Sequence, residues 1–189
     1  MTNTYYPWGG EFTVCKENGC IAVVLLNIEY APCDSVAIYG HLKTENIGIE
    51  KIVANVISNP HIRYVLVCGH EIRGHHSGQS LICLHSHGID ENHRIINASG
   101  AIPYIENLNV EAIHRFQSQV EIIDCLGITN KETLDSTIDS YLKKSSSCFG
   151  EPYIAIQIKP DAMTLIDDKR ALHSKIIVNY MGKVSKRSQ

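Results

Sequence analysis

Tyr64-Val65-Leu66-Val67-Cys68-Gly69-His70-Glu71-Ile72-Arg73-Gly74-His75-His76-Ser77-Gly78-Gln79 is the stretch on which the fold turns. Tyr64 to Cys68 is a short apolar run rich in β-branched residues, the pattern of a strand covered on both faces. Gly69, Gly74 and Gly78 then lead the chain out of the strand. Ser77 reads as the N-cap of a helix that runs through Leu81, Ile82 and Leu84 and stops at His87-Gly88. Strand, glycine-bearing loop and helix in that order form the unit of an α/β domain, whose ligands gather at the carboxyl ends of the strands.

The same signals recur on both sides. Ile21 to Leu26 and Ile154 to Ile158 repeat the buried-strand pattern, Val36 to Tyr39 and Val120 to Cys125 repeat it more weakly, and Lys175 to Met181 reads as a late edge strand. Ile49, Ile52, Val53, Val56 and Ile57 recur at three- and four-residue steps, which predicts a helix ending before Asn59-Pro60. Asn46 is an acceptable N-cap for it, with Glu50 in the first turn. A third helix is expected from about Asn109 to Ser118, presenting Val110, Ile113 and Phe116. Thr129-Asn130-Lys131-Glu132 reads as the capping box of a fourth. The alternation predicts an α/β fold with a Rossmann-like, mainly parallel sheet flanked by helices. One domain is expected over residues 1–182, followed by a flexible basic tail, 183–189, with Trp8, Tyr5 and Tyr6 packing as an amino-terminal anchor.

Composition narrows the function. The 189 residues are 44% hydrophobic and 20% charged, enough for a core, and the net charge of -3 offers no basic face for a nucleic-acid backbone. Seven cysteines, odd in number and without a CxxC pair, fit reduced thiols in a cytoplasm. Apolar runs such as Ile21 to Leu26 fall far short of the roughly 20 residues that span a bilayer, and the first ten residues lack the features of a signal peptide. No membrane span and a cytoplasmic location are therefore expected.

The loop after Tyr64–Cys68 carries the chemistry. Its glycines let the backbone approach a large planar ligand, and amides at the following helix start can donate to polar or anionic groups. The same glycines also read as a tight strand-to-helix connection. His70, His75, His76, His85 and His87, with Cys68 and Cys83 nearby, have the donor types of a zinc site and of a metal-dependent hydrolase. Cys68 in a buried strand and Cys83 on an inward helix position count against that set. His76, His85, His87 and His93 read equally well as surface or helix-end residues.

His75-x-x-Gly78 is reminiscent of the corrinoid-binding loop of methyltransferases and mutases, although Arg73 stands where those loops carry an aspartate. A longer set goes with it: Lys43 to Lys51 with Ile57-Ser58-Asn59-Pro60, Gly74-His75-x-Ser77-Gly78-Gln79, Gly100-Ala101-Ile102-Pro103 with Glu106-Asn107, and Arg115-Phe116-Gln117. In order and spacing, from about Trp8 to Cys125, the chain resembles the soluble part of the MtrA family, the corrinoid-carrying subunit of tetrahydromethanopterin S-methyltransferase.

That resemblance implies bound cobalamin, a 5-hydroxybenzimidazolyl-type corrinoid among the forms it admits, with His75 as the lower axial ligand of cobalt. It implies cofactor contacts at Gly69, Gly74, Ser77, Gly78 and Gln79, at Thr44, Glu45, Asn46 and Gly48, and at Gly100, Ala101, Ile102 and Pro103. The implied activity is that of a methyl carrier. Methyl passes from methyl-tetrahydromethanopterin through cob(I)amide and methyl-Co(III) to coenzyme M, with partner subunits supplying donor and acceptor. Ligation needs a neutral imidazole, and an acceptor on its other nitrogen would raise its basicity; Glu45 and Glu71 are the candidates. Membrane-bound members of the family end in an apolar helix. This chain ends instead in Lys183 to Gln189, as a soluble homologue or a trimmed chain would, which favours a soluble methyl-carrying role, with a non-catalytic corrinoid-binding or regulatory homologue as the alternative.

Overall fold

The computed structural model describes residues 5–144, 147–155, 176–178 and 184–186. The chain divides into two compact units, Met1–Ile156 and Gln157–Gln189. In the first, strands β1 (Phe12–Val14), β2 (Ile21–Leu25), β3 (Ile38–His41), β4 (Tyr64–Gly69) and β5 (Glu121–Leu126) form one sheet in the order β1-β3-β2-β4-β5. Only the β1–β3 pair is antiparallel. Helix α1 (Ile47–Ser58) joins β3 to β4, α2 (Ser77–His87) and α3 (Val110–Gln119) lie between β4 and β5, and α4 (Lys131–Leu142) follows β5. The expected α/β fold, a mainly parallel sheet flanked by helices, is what forms. In the second unit, β6 (Ile176–Val178) pairs antiparallel with β7 (Val184–Lys186).

The continuous apolar runs are explained by burial on both faces. Ala22, Val24, Val65 and Val67 face a core built from Ile49, Val53 and Ile57 of α1, Leu81 and Leu84 of α2, and Ile113 and Phe116 of α3. Their strand neighbours Ile21, Val23, Leu25, Leu66 and Cys68 face a second core under Leu134 and Ile138 of α4, with Tyr30 and Val36 from the β2–β3 connection. Each fully buried Leu, Ile or Phe side chain contributes about 1.5–3 kcal/mol, so the two faces together hold the sheet as a rigid platform.

Several local expectations are corrected. The N-cap position of α2 is His76, with no side-chain cap bond, and Ser77 is the first helical residue. The cap of α4 is Asn130, whose side chain accepts from the Thr133 amide at 2.8 Å, in place of a Thr129–Glu132 box. Asn46 occupies the N-cap of α1 without a side-chain bond; Thr44 Oγ1 accepts from the Gly48 amide instead, at 2.9 Å. Edge strand β1 was not foreseen. Ile154 and Ala155 lie in no strand, and 156–158 fall outside the described residues. This segment is held as an irregular strap: the Tyr153 amide donates to Ile57 O, Arg115 donates to the Phe149 and Glu151 carbonyls, and Phe149 lies under the guanidiniums of Arg63 and Arg115. At the other end the anchor is as expected. The Trp8 backbone exchanges hydrogen bonds with Asn55, and Tyr6 is buried against Ser58 and Asn59. Among the described residues, no helix is long and apolar enough to cross a membrane.

Candidate functional site

Among the four parallel strands the spatial order is β3-β2-β4-β5, so the side on which successive strands are added switches between β2 and β4, which remain parallel. In an open α/β sheet the crevice outside the carboxyl ends of such a pair is where ligands bind. Three segments meet there: 42–46 after β3, 70–76 after β4, and 97–103.

Glu45 lies at the centre of that meeting. Its carboxylate is 1% exposed and accepts from the His76 amide at 2.9 Å through Oε1 and from the Ile102 amide at 3.0 Å through Oε2. Among the described residues no Lys or Arg pairs with it. Its neighbour of opposite potential charge is His75, whose Nδ1 lies 3.4 Å from Glu45 Oε1. That separation is long for a finished N–H···O bond. The His75 side chain is 60% exposed, and among the described residues no hydrogen bond engages its Nε2. One nitrogen thus faces a buried anion while the other faces outward.

The backbone makes this pose available. Gly74, with φ +83°, turns the chain just before His75 and has open space where a Cβ would stand, and the His75 amide closes a turn to Ile72 O at 2.8 Å. Ile72 and Ile102, 56% and 50% exposed, flank the site with apolar surface. Gly100 presses on Glu45 so closely that an added Cβ would overlap the carboxylate. Pro103 is buried and Ala101 exposed on the same segment.

The remaining expected contacts divide. Gln79 has both ends of its amide in use: Nε2 donates to Asn97 O and to Cys83 Sγ, each at 3.1 Å, and Oε1 accepts from the Ser99 amide and hydroxyl. It fastens α2 to the 97–103 segment. Thr44 and Gly48 are spent on the start of α1, where a Cβ on Gly48 would meet Leu42 and Thr44. Gly78 faces Leu26, Leu126 and Glu71, and Ser77 is buried. Gly69, φ +96°, turns the end of β4 against Ile28. Glu71 is not beside His75: its carboxylate accepts from the Gly78 and Gln79 amides at 3.3 and 2.6 Å. The α2 amino end therefore already carries an anion of its own.

Three participants escaped the sequence reading. Ser99 Oγ lies 2.7 Å from His76 Nδ1, which ties the 70–76 loop to the 97–103 segment. Asn97 holds φ +64°, a left-handed conformation that asparagine tolerates. Glu50 read as a charge in the first turn of a helix; it is 1% exposed and accepts from the Glu106 and Asn107 amides and from Asn107 Nδ2. Only the adjacency of Glu45 and Glu50 to the same helix start hinted at their shared task. Burial pushes the Cys83 thiol pKa up, so it stays protonated near Asn97 O. The residues of the zinc alternative are not gathered: His85 Nε2 bonds Val120 O, Cys68 is wholly buried, and no three His, Cys, Asp or Glu side chains converge among the described residues.

Fold and site define a doubly wound α/β domain that presents an imidazole beside a buried carboxylate at the carboxyl ends of its strands. The MtrA family model, which describes the A-subunit of tetrahydromethanopterin S-methyltransferase, matches residues 2–164, and the chain belongs to that family. It is 45% identical over 150 residues to the methyltransferase Mtx A-subunit of Methanosarcina barkeri, covering 79% of this chain and 76% of that one. It is 42% identical over 153 residues to the second tetrahydromethanopterin S-methyltransferase A-subunit of Methanothermobacter thermautotrophicus, covering 79% and 84%. With the tetrahydromethanopterin S-methyltransferase A-subunit of Methanohalophilus mahii it shares 41% over 157 residues, covering 81% of this chain and 65% of the other.

Proposed function

We propose that this protein is a cobalamin-binding methyl carrier in which His75 would hold the cobalt of the corrinoid. The observation that carries this reading is the pose of His75, exposed at the ligand edge of the sheet with Nδ1 toward buried Glu45 and Nε2 directed away from it. The residues present fit such a group. A neutral imidazole with a carboxylate behind it is a good nitrogen donor to a transition metal, the open space at Gly74 removes a steric barrier beside it, and Ile72 and Ile102 offer apolar surface to a large macrocycle.

When bound, the corrinoid supplies a cobalt centre that takes up a methyl group and gives it on. The chain's own contribution is to orient and tune the donor. Glu45, accepting from Nδ1–H, selects the tautomer that leaves the Nε2 lone pair free and raises the basicity of that nitrogen. Its two backbone donors hold the carboxylate still, so the ring is aimed before any ligand arrives. The aspartate absent two places before the histidine is thus replaced by an acid from the β3–α1 connection. Membership in a family of methyltransferase subunits supports a cycle in which partner subunits deliver methyl from methyl-tetrahydromethanopterin and remove it to coenzyme M, in the cytoplasm.

Reconstitution of the purified chain with hydroxocobalamin tests this reading. The wild type is expected to show the visible spectrum of an imidazole-ligated corrinoid, and His75→Ala is expected to bind more weakly and to lack that spectrum. Identical spectra from the two proteins would take His75 out of the ligand role.

A further inference from the structure

The α2 helix begins without a cap of its own: His76 stands at the N-cap and its side chain bonds none of the first-turn amides. A helix start leaves backbone N–H groups that need acceptors and a partial positive charge that favours an anion. Both needs are met from upstream, by the Glu71 carboxylate on the Gly78 and Gln79 amides. The side chain reaches over the ligand loop and closes it into a ring that runs from Glu71 through His75 to Gln79. Inside that ring the His75 amide bonds Ile72 O at 2.8 Å, and the next amide, at His76, is held by Glu45. A Cβ at Gly78 would come within 3.1 Å of Glu71 Oε1, so the glycine leaves room for the closure.

We propose that Glu71 is a positioning residue for His75: its carboxylate, by clamping the loop to the first turn of α2, keeps the imidazole in register with Glu45. This deepens the ligand role given to His75 and rests on it. Without Glu71 the loop keeps Glu45 and Ser99 on His76 and the Asn27 amide on His70 O, so the segment 71–75 is held only at its two ends and the ring loses its fixed distance to the carboxylate. Glutamine at position 71 keeps one carbonyl oxygen for the Gln79 amide but turns an NH2 toward Gly78, so it restores the clamp only in part.

The test compares wild type, Glu71→Ala and Glu71→Gln with two readouts. In the ligand-free protein, nitrogen chemical shifts of the His75 ring are expected to report the Nδ1–H tautomer in wild type, a mixture of tautomers in Glu71→Ala, and an intermediate ratio in Glu71→Gln. In hydroxocobalamin titrations, the affinity for the imidazole-ligated form is expected to fall about tenfold in Glu71→Ala, the scale seen when a group that orients a metal ligand is lost, and less in Glu71→Gln. A Glu71→Ala protein that is less stable yet keeps the wild-type tautomer ratio would overturn the inference, because a purely structural cap predicts that result. Should wild type itself fail to show imidazole ligation, the carrier reading falls, while the tautomer ratio of the ligand-free proteins still decides the role of Glu71.

Discussion

Glu45 takes three neighbours with two oxygens, and its position is the energetic centre of the site. A fully buried amide left without an acceptor costs about 1–3 kcal/mol, and Glu45→Ala takes the acceptor from two part-buried ones. Urea unfolding is expected to show a loss of about 3 kcal/mol; a loss within about 0.5 kcal/mol would mean that water replaces the carboxylate without penalty. Gly100→Ala reaches the same point from the other side. Its new methyl group would overlap the carboxylate, so the variant is expected to lose about 1–3 kcal/mol through overpacking and to weaken corrinoid loading, measured by titration with hydroxocobalamin. Wild-type stability and loading in that variant would show that Glu45 has a second acceptable position.

At the scale of elements, the two assignments for the start of α4 separate cleanly by mutation. Asn130→Ala is expected to cost about 1 kcal/mol and Thr129→Ala much less, by thermal or urea unfolding, because Asn130 accepts from the Thr133 amide and hydroxyl. Equal losses would restore the Thr129–Glu132 box. What could be seen beforehand follows from how local each signal is. Strands β2 and β4 were legible because both faces of each are buried, which forces an uninterrupted apolar run. Helix α1 was legible because its large apolar residues recur at three- and four-residue steps, although Val53 to Ser58 are all buried. Strand β1 was not, since three residues with one paired edge leave no periodic trace. The loop bearing His75 stood out by its glycines, and the resemblance to a known family singled out His75 and shortlisted Glu45. Their approach spans three connections of the sheet, and no periodicity encodes it. Glu71 and Gln79 were expected at the site for their polar groups, yet those groups are consumed by the first turn of α2 and by Ser99 and Asn97. Short-range spacing does not reveal such spending.

For the molecule as a whole, the sheet is a platform whose buried thiols, together with the Tyr6 and Tyr30 hydroxyls, weaken the fold as pH rises. Cys68 and Cys125 are register partners in β4 and β5, and burial pushes both pKa values up, that of Cys68 from 9.0 to about 12. The unfolded chain therefore loses these protons at lower pH than the folded one. The associated stability is fully present below pH 9 and disappears as pH rises toward 12. Under reducing conditions the urea midpoint is expected to decline over that window, and to decline less in Cys68→Ala; an equally steep decline in the variant would assign the effect to other groups. In the proposed reading the platform holds one imidazole at the carboxyl ends of β2 and β4. Electron paramagnetic resonance of cob(II)alamin bound to protein labelled with 15N-histidine tests that most directly. Ligation by His75 predicts that the nitrogen splitting of the cobalt signal changes from three lines to two on labelling and that His75→Ala abolishes this response; a splitting indifferent to the label would contradict it.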